Sequence, residues 1–503
     1  MTTHKQIARN VVTSWADLII NLTISFLLVP FIIHRLGDSL YGLWILLGSI
    51  TGYFGLLNLG VGGAITKYVA EFNARKEYDK IRNLISTSFF IFCSLGLAVI
   101  AAGLIIYLYL NKIFNIDIQF LSDTRIALLI VTADMAVTFP FIVFHGILGG
   151  LQKYDFLNSA SIISGLLRAG LIVYFLNRGH GIVALAIISL CMGLLGKAVI
   201  FLYFRFRFSE LRTRFLTFNR ESARLIFSYS SYTFIGIIVN KLIYYSDSTV
   251  IGIFLTSTMI TYYAVAWRLV ELAKSFSART TFVFLPKASE MEARGDFNKL
   301  QQLFLLGCKA SSIISLPILL TYIFLGDIFF RLWIGPDFMS SHIYLIVLLI
   351  PQIFLTNQHT GVMIIYGIAK HKFYVLMGTA AAVVNVVLSI LLLKIWGLLG
   401  VALGTTIPMF IWGTMIMPHY YRKTIGVSIR NYFSTLSMFL LPSAVLSILL
   451  WQLRIHYNFT SLISFFLVVG LCAVVFITIA YFVSLNSKDR ERIRSLIPKM
   501  GAA

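Results

Sequence analysis

The sequence has 503 residues, 58% of them hydrophobic and only 12% charged, and its mean hydropathy is +0.87. Soluble domains carry roughly 25% charged residues, so this composition excludes a water-soluble fold and implies an integral membrane protein. The formal charge of +21 does not point to nucleic acid, because Lys and Arg collect in the short cytoplasmic loops of membrane proteins.

A helix needs about 20 apolar residues to cross a bilayer. Such runs are centred near residues 22, 52, 97, 136, 167, 192, 239, 269, 315, 354, 384, 409, 442 and 472, which predicts an all-α protein of fourteen transmembrane helices. The first run follows the basic stretch "MTTHKQIARN" and is too long for the apolar region of a signal peptide, so it is expected to be a retained span. Twenty-seven of the 41 Lys and Arg fall in connections on the side of the termini and seven in connections on the other side. The last seven lie within spans. That asymmetry places both termini in the cytoplasm, with the chain in the cytoplasmic membrane. The connection 205–224, "RFRFSELRTRFLTFNRESAR", alternates basic and aromatic residues and predicts a helix lying in the plane of an anionic leaflet. Cys93, Cys191, Cys308 and Cys472 sit in or beside apolar runs without metal-ligand spacing, and read as small apolar residues.

The chain also repeats. "AEFNARKEYDKI" (70–81) returns as "SEMEARGDFNKL" (289–300), 219 residues on; "LQKYDF" (151–156) matches "IAKHKF" (368–373), and "GHGIVAL" (179–185) matches "GLLGVAL" (397–403). Three matches at nearly one period predict two six-helix bundles of the same orientation, related by a pseudo-two-fold axis along the membrane normal. The expected organisation is an N-terminal bundle over 1–204, a basic cytoplasmic linker over 205–224, a C-terminal bundle over 225–421, and two extra helices with a basic cytoplasmic tail over 422–503. Transporters built from repeats bind between them, near the midplane, so a central cavity is expected.

No chemistry-bearing motif of an enzyme appears. "GLLGKA" (193–198) lacks the spacing and the Ser/Thr of a phosphate-binding loop, and there is no metalloprotease helix, paired cysteine set or nucleophile elbow. Neither a metal nor an organic cofactor is expected. The information lies in the intramembrane charges, namely Arg168, Lys197, Lys241, Arg268, Lys274, Arg279 and Lys309 against Asp17, Asp134, Asp247 and Glu271. Lys197, Lys274, Arg279 and Lys309 lie toward the cytoplasmic helix ends and can snorkel to headgroups. Arg168, Lys241 and Arg268 are deeper, and an Arg at mid-bilayer costs at least roughly 2.5–3.5 kcal/mol. Each should face a watery cavity or a partner. Internal pairing would match Arg268 with Glu271, and Asp134 or Asp247 with Arg168 or Lys241. The functional reading is a basic patch for a pyrophosphate, with Arg as a planar fork and Lys as a mobile point charge. At the repeat period Arg168 corresponds to Asn385 or Val386, so its charge is not part of the shared scaffold. Asp134, Asp247 and Glu271 are candidates for coupling to protons or sodium. Glycine pairs at Gly48/Gly52, Gly146/Gly150 and Gly400/Gly404 predict close helix contacts. Tyr244, Tyr245, Tyr262, Tyr263 and Trp267 predict an interfacial aromatic belt.

The stretch "HRLGDSLYGLWILLGSITGYFGLLNLGVGGAITKYVAEF" (34–72) resembles bacterial polysaccharide (O-antigen, Wzx-type) flippases of the multidrug/oligosaccharidyl-lipid/polysaccharide exporter superfamily. The likeness lies in Arg-Leu-Gly after the first helix, Tyr-Gly-Leu-Trp opening the second, and "NLGVGGA" before the first basic loop. It implies two bundles around a cavity open alternately to each side. It also implies a polyprenyl-pyrophosphate-linked oligosaccharide as cargo, moved from inner to outer leaflet. Partners are then that lipid-linked substrate, the membrane lipids and a polysaccharide polymerase, with no nucleic acid, and the protein is expected to be a monomer. Flippases of the peptidoglycan precursor, which tend to carry arginines in the first helix where this chain has Asp17 and Asn21, are an alternative. A multidrug exporter of the same superfamily is another, though it would favour an acidic cavity. A membrane-embedded polymerase would need catalytic acids or a large outer loop, and the outer connections here are only about a dozen residues.

Overall fold

The computed structural model describes residues 2–211, 213, 217–281, 284–487, 489 and 490. The basic tail beyond Arg490, Arg212 and Arg214 of the linker, and the side chains of Tyr244 and Arg279 lie outside the described residues. Among the described residues there are helices and turns and no strand.

The chain divides into two compact units, Met1–Thr261 and Tyr262–Ala503. The first contains α1 (Thr2–Leu36), α2 (Asp38–Phe54), α3 (Val61–Ala74), α4 (Tyr78–Ile113), α5 (Ile118–Gly150), α6 (Tyr154–Asn177), α7 (Ile182–Arg207) and α8 (Arg220–Phe254). α9 (Ser257–Thr281) opens at its end. The second continues with α10 (Phe284–Ala293), α11 (Phe297–Trp333), α12 (Ser341–Leu349), α13 (Gln352–Gly367), α14 (Lys372–Trp396) and α15 (Leu398–Ile411). It closes with α16 (Met417–Thr424), α17 (Ile429–Ser437), α18 (Leu440–His456) and α19 (Leu462–Val483). α8, the seventh expected span, packs on α2, α3 and α4 within the first unit.

Among the described residues eleven helices are long and apolar enough to cross a membrane, and Pro336–Leu349 with Gln352–Gly367, bent by 48°, makes a twelfth if taken as one broken span. The expected centres at 239 and 269 lie in α8 and α9. The protein is a multi-pass membrane protein. The bend between α12 and α13 falls at Pro351, where the ring removes a backbone donor and blocks the preceding turn. The second span is interrupted as well. α2 tightens into a 3₁₀ turn over Gly55–Asn58, and Leu59 and Gly60 take left-handed φ of 51° and 76° before α3 restarts.

The sequence repeat is also a repeat of backbone turns. Lys76 and Gly295, at the first match, both take φ near +60–70°. Each is followed by the same closing bond, from Glu77 N–H to the Phe72 carbonyl and from Asp296 N–H to the Met291 carbonyl. The flanking ion pairs recur too, Arg75–Glu71 and Lys80–Glu77 in one unit, Arg294–Glu290 and Lys299–Asp296 in the other. At the second match Gln152 and Ala369 have φ of 59° and 54°, and at the third Gly179 and Gly397 have 81° and 57°.

Of the glycine pairs, two behave as expected. A Cβ on Gly150 would stand 2.8 Å from the Thr66 carbonyl oxygen of α3, and side chains at Gly400 and Gly404 would overlap the α14 backbone at Leu392 and Ser389. Gly52 is covered by the Tyr245 ring, but Gly48 has nothing within 4 Å, so that pair is half a contact. The in-plane helix expected over 205–224 is absent among the described residues. α7 runs through Arg207, a single 3₁₀ turn covers Ser209–Leu211, and Asn219 caps α8 by accepting from the Ser222 N–H at 2.8 Å. Ser86 and Thr87 of α4 hold the connection at Thr217 and Asn219.

The core of the second unit forms around Phe304, Cys308, Ile364, Trp412, Tyr421 and Tyr432. Here Tyr432 Oη accepts from Gln358 Nε2 at 3.0 Å. Burying large rings while bonding their polar ends stabilises without stranding a donor. Tyr263 and Trp267 are also buried, and Tyr262 stacks on Phe338 at 4.9 Å. Tyr263 and Trp267 are thus covered by protein, which corrects the expected interfacial belt at those two positions. Cys191, unlike Cys308 and Cys472, is exposed.

Candidate functional site

In the first unit the polar side chains at mid-helix gather on α1, α5, α6 and α7. Asn21 Nδ2 donates to Asp17 Oδ1 at 2.8 Å, and its own Oδ1 would lie 3.0 Å from a Cβ on Gly165 of α6. One turn further along α6, Arg168 Nη2 donates to Ser189 Oγ of α7 at 3.0 Å, and that hydroxyl donates to the Leu185 carbonyl at 2.7 Å. Among the described residues no carboxylate lies within 4.0 Å of the Arg168 guanidinium, because Asp134 is taken by Lys197 at 2.6 Å. Gly193 makes that pair fit; a Cβ there would stand 2.8 Å from Asp134 Oδ1 and 3.0 Å from Lys197 Nζ. The "GLLGKA" stretch is thus continuous helix with a lysine engaged by a carboxylate. Lys197 does not snorkel, as its side chain is only 14% exposed.

The repeat bears on the bond at Arg168. Of its two counterparts, Asn385 and Val386 of α14, Asn385 donates to Thr405 Oγ1 of α15 at 2.7 Å, and both partners are buried. Each unit thus has a hydrogen bond between these two helices near this place, one from a neutral amide and the other from an exposed guanidinium, though Thr405 stands one to two positions off the repeat equivalent of Ser189. A neutral donor suffices for the packing role.

Lys241 of α8 sits at the interruption of the second span. Its Nζ lies 3.4 Å from Tyr245 Oη and 4.9 Å from that ring's centroid, and 3.5 Å from where a Cβ on Gly55 would stand. No carboxylate reaches it among the described residues. Asp247 is buried, 3% exposed. The interruption itself escaped sequence reasoning as a site feature. Its signal is "NLGVGG" (58–63), where two left-handed residues are needed within an apolar span.

In the second unit Arg268 and Glu271 of α9 form the expected ion pair, at 3.6 Å, and Lys274 lies over the Trp267 ring at 5.5 Å. At the 219-residue period these positions correspond to Ser49 and Gly52 of α2 and Gly55 of the 3₁₀ turn after it, so this charged face has no counterpart in the first unit. Lys309 is not extended into its surroundings either; it pairs with Asp489 at 2.7 Å, side chains 8% and 12% exposed. Among the described residues no group of three His, Cys, Asp or Glu is arranged to hold a metal ion.

Comparison with known proteins follows this geometry. A family described as "Polysaccharide biosynthesis protein" matches residues 7–292. A probable low-salt glycan biosynthesis flippase of Haloferax volcanii is 23% identical over 490 residues, covering 94% of this chain and 95% of its own. A putative O-antigen transporter of Shigella flexneri is 20% identical, covering 75% and 88%. Among solved structures, the lipid II flippase MurJ in its inward closed conformation has a TM-score of 0.73 at 18% identity, covering 94% and 98%. An inward-facing multidrug resistance transporter of the MOP superfamily has 0.62 at 16%, covering 81% and 99%.

Proposed function

The chain belongs to the polysaccharide biosynthesis protein family, and from that membership we propose that it flips a polyprenyl-pyrophosphate-linked oligosaccharide from the inner to the outer leaflet of the cytoplasmic membrane. Fourteen spans place both termini in the cytoplasm, and two bundles of the same orientation open alternately to either side. Two relatives over most of the chain are named as a flippase and an O-antigen transporter, and the work is transport without bond chemistry.

The observation that carries this reading is Arg168. A charge held at mid-span, exposed and bonded among the described residues to a hydroxyl, keeps donors of its planar fork for phosphate oxygens. Lys241, beside the broken second span and stacked on Tyr245, supplies a second positive charge. Arg268 supplies a third once the cargo competes with Glu271 for it. Substrate sites at interrupted helices are a recurring device in transporters, because loosened backbone can face a cavity without exposure to lipid. Asp134, Asp247 and Glu271 are the candidates for coupling to protons or sodium.

A strain lacking the gene tests this. It should accumulate a lipid-linked glycan facing the cytoplasm, identified by mass spectrometry, and lose the matching surface polysaccharide. Unchanged surface glycan with no accumulated intermediate would overturn the proposal.

A further inference from the structure

At the end of the second unit where α11 finishes, three charged or titratable side chains from three helices meet. His342 of α12 is 9% exposed. Its Nε2 lies 3.0 Å from the Tyr322 carbonyl oxygen and 3.1 Å from that of Ile323. Both neighbours are acceptors, so Nε2 carries a proton and donates. The other ring nitrogen, Nδ1, lies 3.8 Å from Asp327 Oδ1, a buried oxygen with no hydrogen-bond partner among the described residues. The opposite carboxylate oxygen, Oδ2, accepts from Arg454 Nη2 of α18 at 2.6 Å, while Arg454 Nη1 donates to the Phe324 carbonyl at 2.7 Å.

With His342 neutral, two lone pairs face one another. Nδ1 is an acceptor 3.8 Å from a buried acceptor oxygen, and a buried polar atom left unbonded is costly. One proton on Nδ1 resolves both defects at once. The ring becomes imidazolium with Nδ1–H as a donor toward Oδ1, and closure of the 3.8 Å gap by about 1 Å gives a charge-assisted bond. The place is shaped for the ring, since a Cβ on Gly326 would stand 2.6 Å from its Cδ2 and 2.9 Å from Nε2. Asp327 and Arg454 are the charged groups acting on it. α15, which packs on another side of α12, has no titratable residue in "LLGVALGTTIPMFI".

We infer that His342 and Asp327 form a proton-binding site that clasps α12 to α11. The consequence follows from where α12 lies, as the shorter arm of the span broken at Pro351 with a 48° bend. Its far end is tied to α15 by Thr406 Oγ1 donating to the Val347 carbonyl at 2.9 Å. Its near end is tied to α11 by His342. Proton uptake tightens that near end, so acidity on this side of the membrane sets how firmly the broken span is held. The site is independent of which cargo is carried.

The test uses the full chain in lipid nanodiscs with ¹⁵N-histidine, the His342 signal among the nine histidines being assigned by its loss in His342→Gln. Across about pH 5 to 8, the range in which imidazoles change charge, the His342 signal should titrate. Asp327→Asn should weaken proton binding about tenfold or more, the scale set by an opposite charge within 4–6 Å. Arg454→Gln, which removes a competing cation, should strengthen it. Hydrogen–deuterium exchange of residues 336–349 in the unmodified protein needs no variant. Corrected for intrinsic rates, it should slow at least severalfold on the acidic side of the transition. A His342 signal neutral throughout, a midpoint indifferent to Asp327→Asn, or exchange unchanged with pH would each overturn the inference.

Discussion

Replacing Arg168 with Asn separates a structural arginine from one that serves cargo. The substitution installs at position 168 the polar one of the two residues that correspond to it in the second unit, Asn385, which makes its bond to Thr405 at 2.7 Å. The packing bond to Ser189 then has a neutral substitute, and its loss in the worst case costs about 0.5–1.5 kcal/mol. Against that stands the removal of a charge whose presence at mid-bilayer costs roughly 2.5–3.5 kcal/mol. Thermal stability in detergent should therefore hold or rise. Export should fall, because a hydrogen bond to a charged phosphate contributes about 1.5–3 kcal/mol, or roughly 10- to 150-fold in affinity at 1.4 kcal/mol per decade. The assay pairs a melting curve with surface glycan measured at matched protein level. Arg168→Lys, which keeps charge but loses the fork, should retain part of the activity. A variant that melts earlier and exports in proportion to its folded fraction would refute the reasoning and make Arg168 a packing residue.

Other expectations follow from the same geometry. Lys197→Met should destabilise by about 1.5–3 kcal/mol, the scale of a hydrogen bond to a charged group in this half-buried pair, and Lys197→Met with Asp134→Asn should recover most of it in a melting-based double-mutant cycle. Gly404→Ala should destabilise by about 1–3 kcal/mol through overlap with α14, whereas Gly48→Ala, facing open space, should leave the melting temperature within a degree or two. A pyrophosphate diester carries about two negative charges, each worth roughly 2.3 kcal/mol per 100 mV. A valinomycin–potassium potential across proteoliposomes should thus speed flipping in one polarity and slow it in the other. Rates indifferent to polarity but responsive to pH or sodium would shift the driving force to Asp134, Asp247 or Glu271.

Helix positions were legible because the bilayer demands long apolar runs, and each expected centre falls inside a helix. The repeat was legible for a different reason. Lys76, Gly295, Gln152 and Ala369 mark helix ends where the chain must turn left-handed, and the flanking Glu–Arg and acid–Lys spacings survive with them. Pairings across helices were not legible, since nothing local says that Lys197 meets Asp134, 63 positions away, or that Lys309 meets Asp489, 180 away. Both lysines were read as snorkelling from their place near helix ends, a rule that holds only where no buried carboxylate is in reach. Gly48 failed because a small-residue spacing defines a face, not what lies against it. The alternation in 205–224 suited an in-plane helix, but Ser86 and Thr87 bond its backbone instead.

The central claim is that this chain carries a lipid-linked pyrophosphate glycan between leaflets, and purified protein in liposomes tests it most directly. Vesicles are loaded with a polyprenyl-pyrophosphate oligosaccharide, and the fraction of glycan accessible to an external hydrolase or lectin is followed in time. The account predicts that wild-type protein brings the inaccessible fraction out at a rate well above protein-free vesicles, and that Arg168→Asn at equal incorporation slows this by roughly tenfold or more. Flipping no faster than in protein-free vesicles, or equal rates for wild type and Arg168→Asn, would contradict it.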